Sequence, residues 1–418
     1  MSSMSSKKDV ISNSNKLIST AVTVIIIFGI ISMFGDIIYE SARSANSQYL
    51  NLLGFSAATV GLVFGVGELL GYALRLLAGI LSDKSGKHWV FMFVGYGMLV
   101  SVPLIGFTMD WNILVILILM ERIGKALRNP AKDTVLSGVA ENQVGIGFSF
   151  GLQEALDQLG AFLGPLFFTA IFYFMGKSGI AEYQLGYKMQ IVPFILLMLF
   201  LYFAYKKIKS MNLLSNVENK SKNFKNEKLE PVFWHYTLFT FFCTAGFVNF
   251  SIIGYHLKAN GLMSDGNITL LYSFAMLVDA VTAIIIGKAY DHLKYKSKKK
   301  TGGILVLALI PLITIPLPLL ALSNSTTLIV LGMMLFGIIM GTHETIMRSA
   351  IADITPYHKR GTGYGIFNTA YGLALFAGSA FAGLLYDMNL TILIIAFTVV
   401  MEIIASALYF RMNKAATT

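Results

Sequence analysis

Residues 79–88 read G-I-L-S-D-K-S-G-K-H and close the second long apolar run of a 418-residue chain. Residues 287–292, G-K-A-Y-D-H, close the eighth run with a shortened version of the same stretch. A polar hinge that recurs at one offset inside a hydrophobic chain points to a duplicated, membrane-embedded unit.

Working outward from the hinge, the composition agrees. The chain is 56% hydrophobic and 13% charged, with a mean hydropathy of +0.69, far outside the range of a soluble domain. Apolar runs of about 20 residues, the length that spans a bilayer, recur from end to end, and we read about twelve of them. Their limits are 17–50, 57–82, 89–108, 112–131, 145–175, 187–206, 232–258, 266–291, 302–322, 326–352, 362–386 and 390–411.

The net charge is +10. The basic residues fall in alternate connections, the pattern of cytoplasmic loops beside a membrane and not of a nucleic-acid surface. With the N-terminus inside, about 22 Lys and Arg outside the spans lie on the cytoplasmic side and about 3 on the other. The exceptions are Lys177, Lys188 and Lys258. Both termini are therefore expected in the cytoplasm and the first run is expected to be a retained span of a multi-pass cell-membrane protein. Cys243, the only cysteine, excludes an intrachain disulfide and a thiolate metal cage.

The largest break in the pattern lies between the sixth and seventh runs, where Asn, Ser, Lys and Glu replace apolar residues. It divides the chain into a tail (1–16), a six-span unit (17–206), a cytoplasmic linker (207–231), a second six-span unit (232–411) and a C-terminal tail (412–418). Asp83 and Asp291 are about 208 positions apart, and G-x-G-F at 145 and G-x-G-Y at 361 about 216 apart, a nearly constant offset that indicates duplication. An even number of spans per unit gives parallel repeats about an axis along the membrane normal.

On these residues the chain resembles the major facilitator superfamily of transporters. The family's loop signature G-x-L-a-D-r-x-G-r/k-r/k is met by Gly79, Leu81, Asp83, Lys84, Gly86 and Lys87, with His88 at the last basic position. The resemblance implies an all-α membrane protein with 12 transmembrane helices in two six-helix bundles, related by a pseudo-twofold axis along the membrane normal. It also implies that Gly79, Asp83, Lys84, Gly86, Lys87 and the echo at Asp291 form a conformational latch. Physically, Gly79 would let two helices approach, and Asp83 could face the positive end of a neighbouring helix.

A second match concerns direction. Exporters of the superfamily that exchange substrate for protons carry G-x8-G-x3-G-P-x2-G-G in the fifth span. Here Gly151, Gly160, Gly164 and Pro165 keep that spacing, while Phe168 and Thr169 replace the last two glycines. Such residues permit close packing and a bend in the span.

Ionisable residues inside spans normally face a cavity or a partner. Asp36, Glu40 and Arg43 form one helical stripe, Glu68 and Arg75 share a face, and Glu121, Lys125 and Arg128 align while Arg122 points about 100° away. Glu154 and Asp157 share a face of the fifth span. Arg122 occupies the place of the family's fourth-span arginine, which the resemblance ties to proton coupling. We expect Glu154 or Asp157, with Asp36, to carry a coupling proton whose affinity Arg122 and Arg75 modulate. Substrate contacts are expected from Glu40, Arg43, Glu68, Arg75 and Arg128, and in the second half from Asn249, Tyr255, Asn368 and Tyr371. Lys132, Asp133 and Glu141 are expected to be solvated or gate-forming. His343 and Glu344 point about 100° apart and have no third ligand placed by sequence, so no metal site is expected.

No phosphate loop, catalytic constellation or cofactor motif competes, so an enzyme is not expected. The leading reading is a monomeric secondary transporter exporting a small organic molecule in exchange for protons. A proton-coupled importer of an organic anion, clamped by Arg75, Arg122 and Arg128, is the alternative. A non-transporting membrane sensor on the same fold is a third.

Overall fold

A computed structural model describes residues 2–140, 146–210, 229–297, 305–347, 350–351, 354–355 and 360–415; the linker 211–228 and the tail 416–418 lie outside them. The described residues contain no strand. In the first half the helices are α1 (Ser2–Leu52), α2 (Ala57–Ser85), α3 (His88–Gly97), α4 (Ser101–Ile105), α5 (Trp111–Ala140), α6 (Ile146–Met175), α7 (Ile180–Met189) and α8 (Ile191–Ser210). In the second they are α9 (Pro231–Gly246), α10 (Phe250–Ala259), α11 (Asp265–Ser297), α12 (Leu309–Thr314), α13 (Leu317–Ala321), α14 (Thr326–Thr342), α15 (Arg360–Asp387) and α16 (Thr391–Ala415).

Ten helical segments among the described residues are long and apolar enough to cross a membrane, and each coincides with an expected span. The other two expected spans fall on α5, which carries Glu121, Arg122, Lys125 and Arg128, and on the shorter apolar segment Leu305–Ala321. Helix α1 is 51 residues long, so the expected tail 1–16 continues the first span as helix. At about 1.5 Å per residue it is more than twice the thickness of the hydrocarbon core.

The burial pattern inverts that of a soluble protein. Phe174 is 90% exposed and Ile392 75%, whereas Glu68, Glu121, Arg122 and Glu402 are buried. Lipid-facing apolar side chains and interior charges are the arrangement a bilayer imposes.

Close helix packing is set by glycines at a few crossings. A Cβ at Gly160 would lie 2.5 Å from the Met33 carbonyl oxygen and one at Gly164 2.7 Å from that of Ile37, so α6 can lie on α1 only with glycine there. Between the halves, a Cβ at Gly61 of α2 would lie 2.4 Å from the Ser379 carbonyl oxygen of α15. Gly79 is different. A Cβ there would meet Pro130 at 3.5 Å, an ordinary contact, so the expectation that Gly79 provides a close approach is corrected.

The hinge itself is ordered by two local features. Gly86 ends α2 in the left-handed conformation (φ 64°), which favours glycine. His88, standing at the last basic position of the loop signature, is buried, with its Nδ1 2.6 Å from Ser82 Oγ.

Hydrogen bonds join the halves toward the end remote from the hinge. Ala57 and Ala58 donate their backbone N–H groups to the Asp387 carboxylate at 2.8 and 2.9 Å. The Thr169 and Thr269 hydroxyls lie 2.7 Å apart, and Ser273 donates to the Phe162 carbonyl at 2.7 Å. Phe168 and Thr169, the two departures from the exporter pattern, both have work here. Phe168 is fully buried among Phe172, Tyr183 and Tyr187, and Thr169 bonds across the interface.

The lysines that break the charge asymmetry are each neutralised or stacked. Lys177 pairs with Glu182 at 3.4 Å, Lys258 with Asp265 at 2.6 Å, and Lys188 lies 4.8 Å from the Phe107 ring centroid.

Candidate functional site: a charged central cavity

A cavity of about 130 Å³ lies between the halves. From α1 it is lined by Asp36, Tyr39, Glu40 and Arg43, from α2 by Glu68, Tyr72 and Arg75, from α5 by Lys125, Arg128 and Lys132, and from α6 by Asp157. The second half contributes Phe247, Asn249, Asp279, Glu344 and Tyr371. Helical periodicity is the cause: residues three, four and seven apart on one helix share a face, and each stripe turns to the same space.

Tyr39 is the centre of the wall. The Lys125 ammonium sits 3.7 Å from its ring centroid, the Arg122 guanidinium 4.6 Å and that of Arg43 6.0 Å. Arg122 also donates from Nη1 to the Tyr39 hydroxyl. An aromatic face attracts cations most when desolvated, and this one is 2% exposed.

Behind the wall runs a relay of ion pairs. Glu40 meets Arg43 at 3.5 Å, and Arg43 reaches Glu68 at 3.9 Å. Arg122 forms ion pairs with Glu68 at 3.0 Å and Glu121 at 3.3 Å. Arg122 is therefore a buried hub behind the cavity lining.

Lys132 departs from expectation in the other direction. It is buried and lines the cavity, donating to Ser32 Oγ at 2.7 Å and facing Asp157 at 3.9 Å. Asp36 lines the same space without an ion pair or hydrogen bond among the described residues.

In the second half, Asn249 caps α10 by accepting from Ser251 N–H at the break between α9 and α10. That break brings Phe247 and Asn249 to the cavity. Tyr371 packs edge-on against Tyr72 with centroids 4.9 Å apart, and Asn368 lies in a small adjoining pocket with His343 and Phe367. Residues His343–Met347 form a π-helix, a local widening often found at functional sites. Tyr255 is not among the cavity-lining residues; it donates to the Phe55 carbonyl at 3.0 Å in the inter-half seal.

Of the expected latch, Lys84 and Lys87 are exposed, and neither makes an ion pair among the described residues. The side chains of Asp83, Asp291 and Glu154 and the surroundings of Gly151 lie outside the described residues. Pro165 is inside α6, one residue beyond the Gly164 contact. Among the described residues no cluster of three or more His, Cys, Asp or Glu could hold a metal ion.

The sequence reading missed Tyr39, the cavity position of Lys132 and the fully buried Glu402, which lies against Cys243 and Gly246. Tyr39 was detectable in principle, since it completes the Asp36, Glu40 and Arg43 stripe.

The model of the Major Facilitator Superfamily matches residues 17–379, with a second match at 263–417. The chain belongs to the major facilitator superfamily. An uncharacterized protein of Mycobacterium tuberculosis is 32% identical over 391 residues, covering 93% of this chain and 92% of the relative. An uncharacterized MFS-type transporter of Methanocaldococcus jannaschii is 25% identical, covering 87% of this chain and 88% of the relative.

Among solved structures, a mutant of the nucleoside transporter NupG superposes with a TM-score of 0.71 at 12% identity, over 92% of this chain and 99% of that one. A bacterial homologue of the human lysosomal transporter Spinster, inward-facing and unoccupied, also gives 0.71, at 15% identity over 95% and 98%. At these identities the likeness concerns the fold. Superfamily membership makes the chain a multi-pass membrane transporter of small molecules and not an enzyme.

Proposed function

We propose that this superfamily member is a proton-coupled secondary transporter that works by alternating access and exports a small organic molecule in exchange for protons. One observation carries the coupling: Asp36 and Asp157 face a shared cavity between the halves, and Asp36 has no ion pair among the described residues. A carboxylate that meets water from alternate sides can load a proton on one side and release it on the other. Lys132 beside Asp157, and Glu154 one turn away on α6, would set when this happens.

In this reading the units 17–206 and 232–411 are two six-helix bundles that rock about the cavity, with both termini in the cytoplasm of a cell-membrane monomer. Asp83, Lys84, Lys87 and Asp291 latch the hinge side in the conformation opposite to the one described. The export direction is supported by the fifth-span pattern, whose Gly160 and Gly164 sit directly on α1 next to Asp36.

Proteoliposomes loaded with a pH dye test the proposal, using solutes found by thermal-shift screening at two pH values. Solute entry should drive protons out and make the lumen alkaline. Acidification on entry would replace antiport with symport, and solute flux without any pH change would remove the coupling.

A further inference from the structure

Four of the cavity's five cations differ in what they face. Arg43 and Lys132 each face a carboxylate within 4 Å, at 3.5 and 3.9 Å, as does the Arg122 hub behind them. Lys125 and Arg128 have no carboxylate within 4 Å among the described residues, although Asp36 and Glu40 act on Lys125 and Glu121 on Arg128 at longer range. Each rests on an aromatic ring, Lys125 at 3.7 Å from the Tyr39 centroid and Arg128 at 5.0 Å from that of Tyr96. Three residues apart on α5, both line the cavity.

Arg128 is the sharper case. It is 2% exposed and its buried Nη1 has no hydrogen-bond partner. A desolvated guanidinium with an open donor is costly to the protein alone and is retained where a ligand completes it. A planar fork above a ring suits carboxylate, phosphate or phosphonate oxygens, with the Lys125 ammonium as a second point charge.

We propose that Lys125 and Arg128 form the anion-binding subsite of the transport cavity, so that the solute carries a carboxylate or phosphate-type group. The inference rests on the cavity being the transport site. It separates the roles of two arginines: Arg122 is paired directly with Glu68 and Glu121, whereas Arg128 keeps a buried Nη1 without a hydrogen-bond partner and acts together with Lys125.

The test uses the full chain in lipid nanodiscs and four matched probes: benzoate, phenylphosphonate, neutral benzamide and cationic benzylamine. The two anions should raise the melting temperature and the other two should not. Arg128→Gln and Lys125→Gln should each weaken anion binding by about tenfold to a hundredfold, the size of a lost charge-assisted bond. Arg128→Lys and Lys125→Arg should recover part of it.

The ligand-free variants discriminate a structural role. If the two cations serve ligand binding, their removal leaves ligand-free stability unchanged or raised; a fall in stability with anion binding retained would overturn the proposal. Equal response to all four probes, or to none, would also overturn it. Proton-linked flux in proteoliposomes is read separately. Anion binding lost in both Gln variants without any proton-linked flux in the parent would sustain the subsite and remove the coupling reading.

Discussion

Tyr272 donates its hydroxyl to Glu40 Oε2 at 2.7 Å, and this bond crosses from the second half of the chain to the first. It ends on the relay that runs through Arg43, Glu68 and Arg122, so the inter-half seal and the charged interior share one carboxylate.

Tyr272→Phe removes that bond while keeping the ring against Phe250. A hydrogen bond to a charged group contributes about 1.5–3 kcal/mol, so the sealed state should lose tenfold or more in population. Distances between spin labels at Leu53 and Met388 report it. A broadened, longer distribution is expected, and an unchanged one would mean that the seal does not depend on Glu40.

Arg122→Met should destabilise the protein by about 3–5 kcal/mol, because Glu68 and Glu121 are buried and lose their nearest cation. The triple variant Glu68→Leu, Glu121→Leu, Arg122→Met should recover most of the loss in a thermal melt. A single variant as stable as the parent would contradict the hub.

Gly61→Leu forces side-chain atoms into the Ser379 carbonyl and should cost at least about 1–3 kcal/mol through overpacking. Gly79→Ala should change stability by less than about 0.5 kcal/mol, since its Cβ has room. Melting of the two purified variants checks the contrast; equal losses would show that the hinge glycine is the packing residue after all.

These contrasts mark how far the chain could be read unaided. The stripe from Asp36 to Arg43 and the face shared by Glu68 and Arg75 follow from helical periodicity, and the structure places them on one cavity. Which charges neutralise each other does not follow, because Arg122 meets Glu68 only when α5 packs on α2. Glycine roles were hidden for the same reason. Gly61 and Gly79 look alike in sequence, and only the neighbour opposite each one separates them.

Asp36→Asn and Asp157→Asn should each abolish solute movement driven by a pH gradient while leaving solute–solute exchange intact. Counterflow and gradient-driven uptake, measured on one preparation, give the comparison. Gradient-driven uptake at parental rates in both variants would move the coupling elsewhere, with Glu154 the next carboxylate on α6.

Alternating access is the central claim, and one measurement addresses it directly. Cys243 is buried and is the only native cysteine, so Asn129→Cys in a Cys243→Ala background places a single thiol on the cavity wall. In oriented membranes, a membrane-impermeant maleimide should label that thiol from either face, with Tyr272→Phe shifting reactivity toward the face remote from the hinge. Labelling from one face only, in both the parent and the Tyr272→Phe background, would contradict the account.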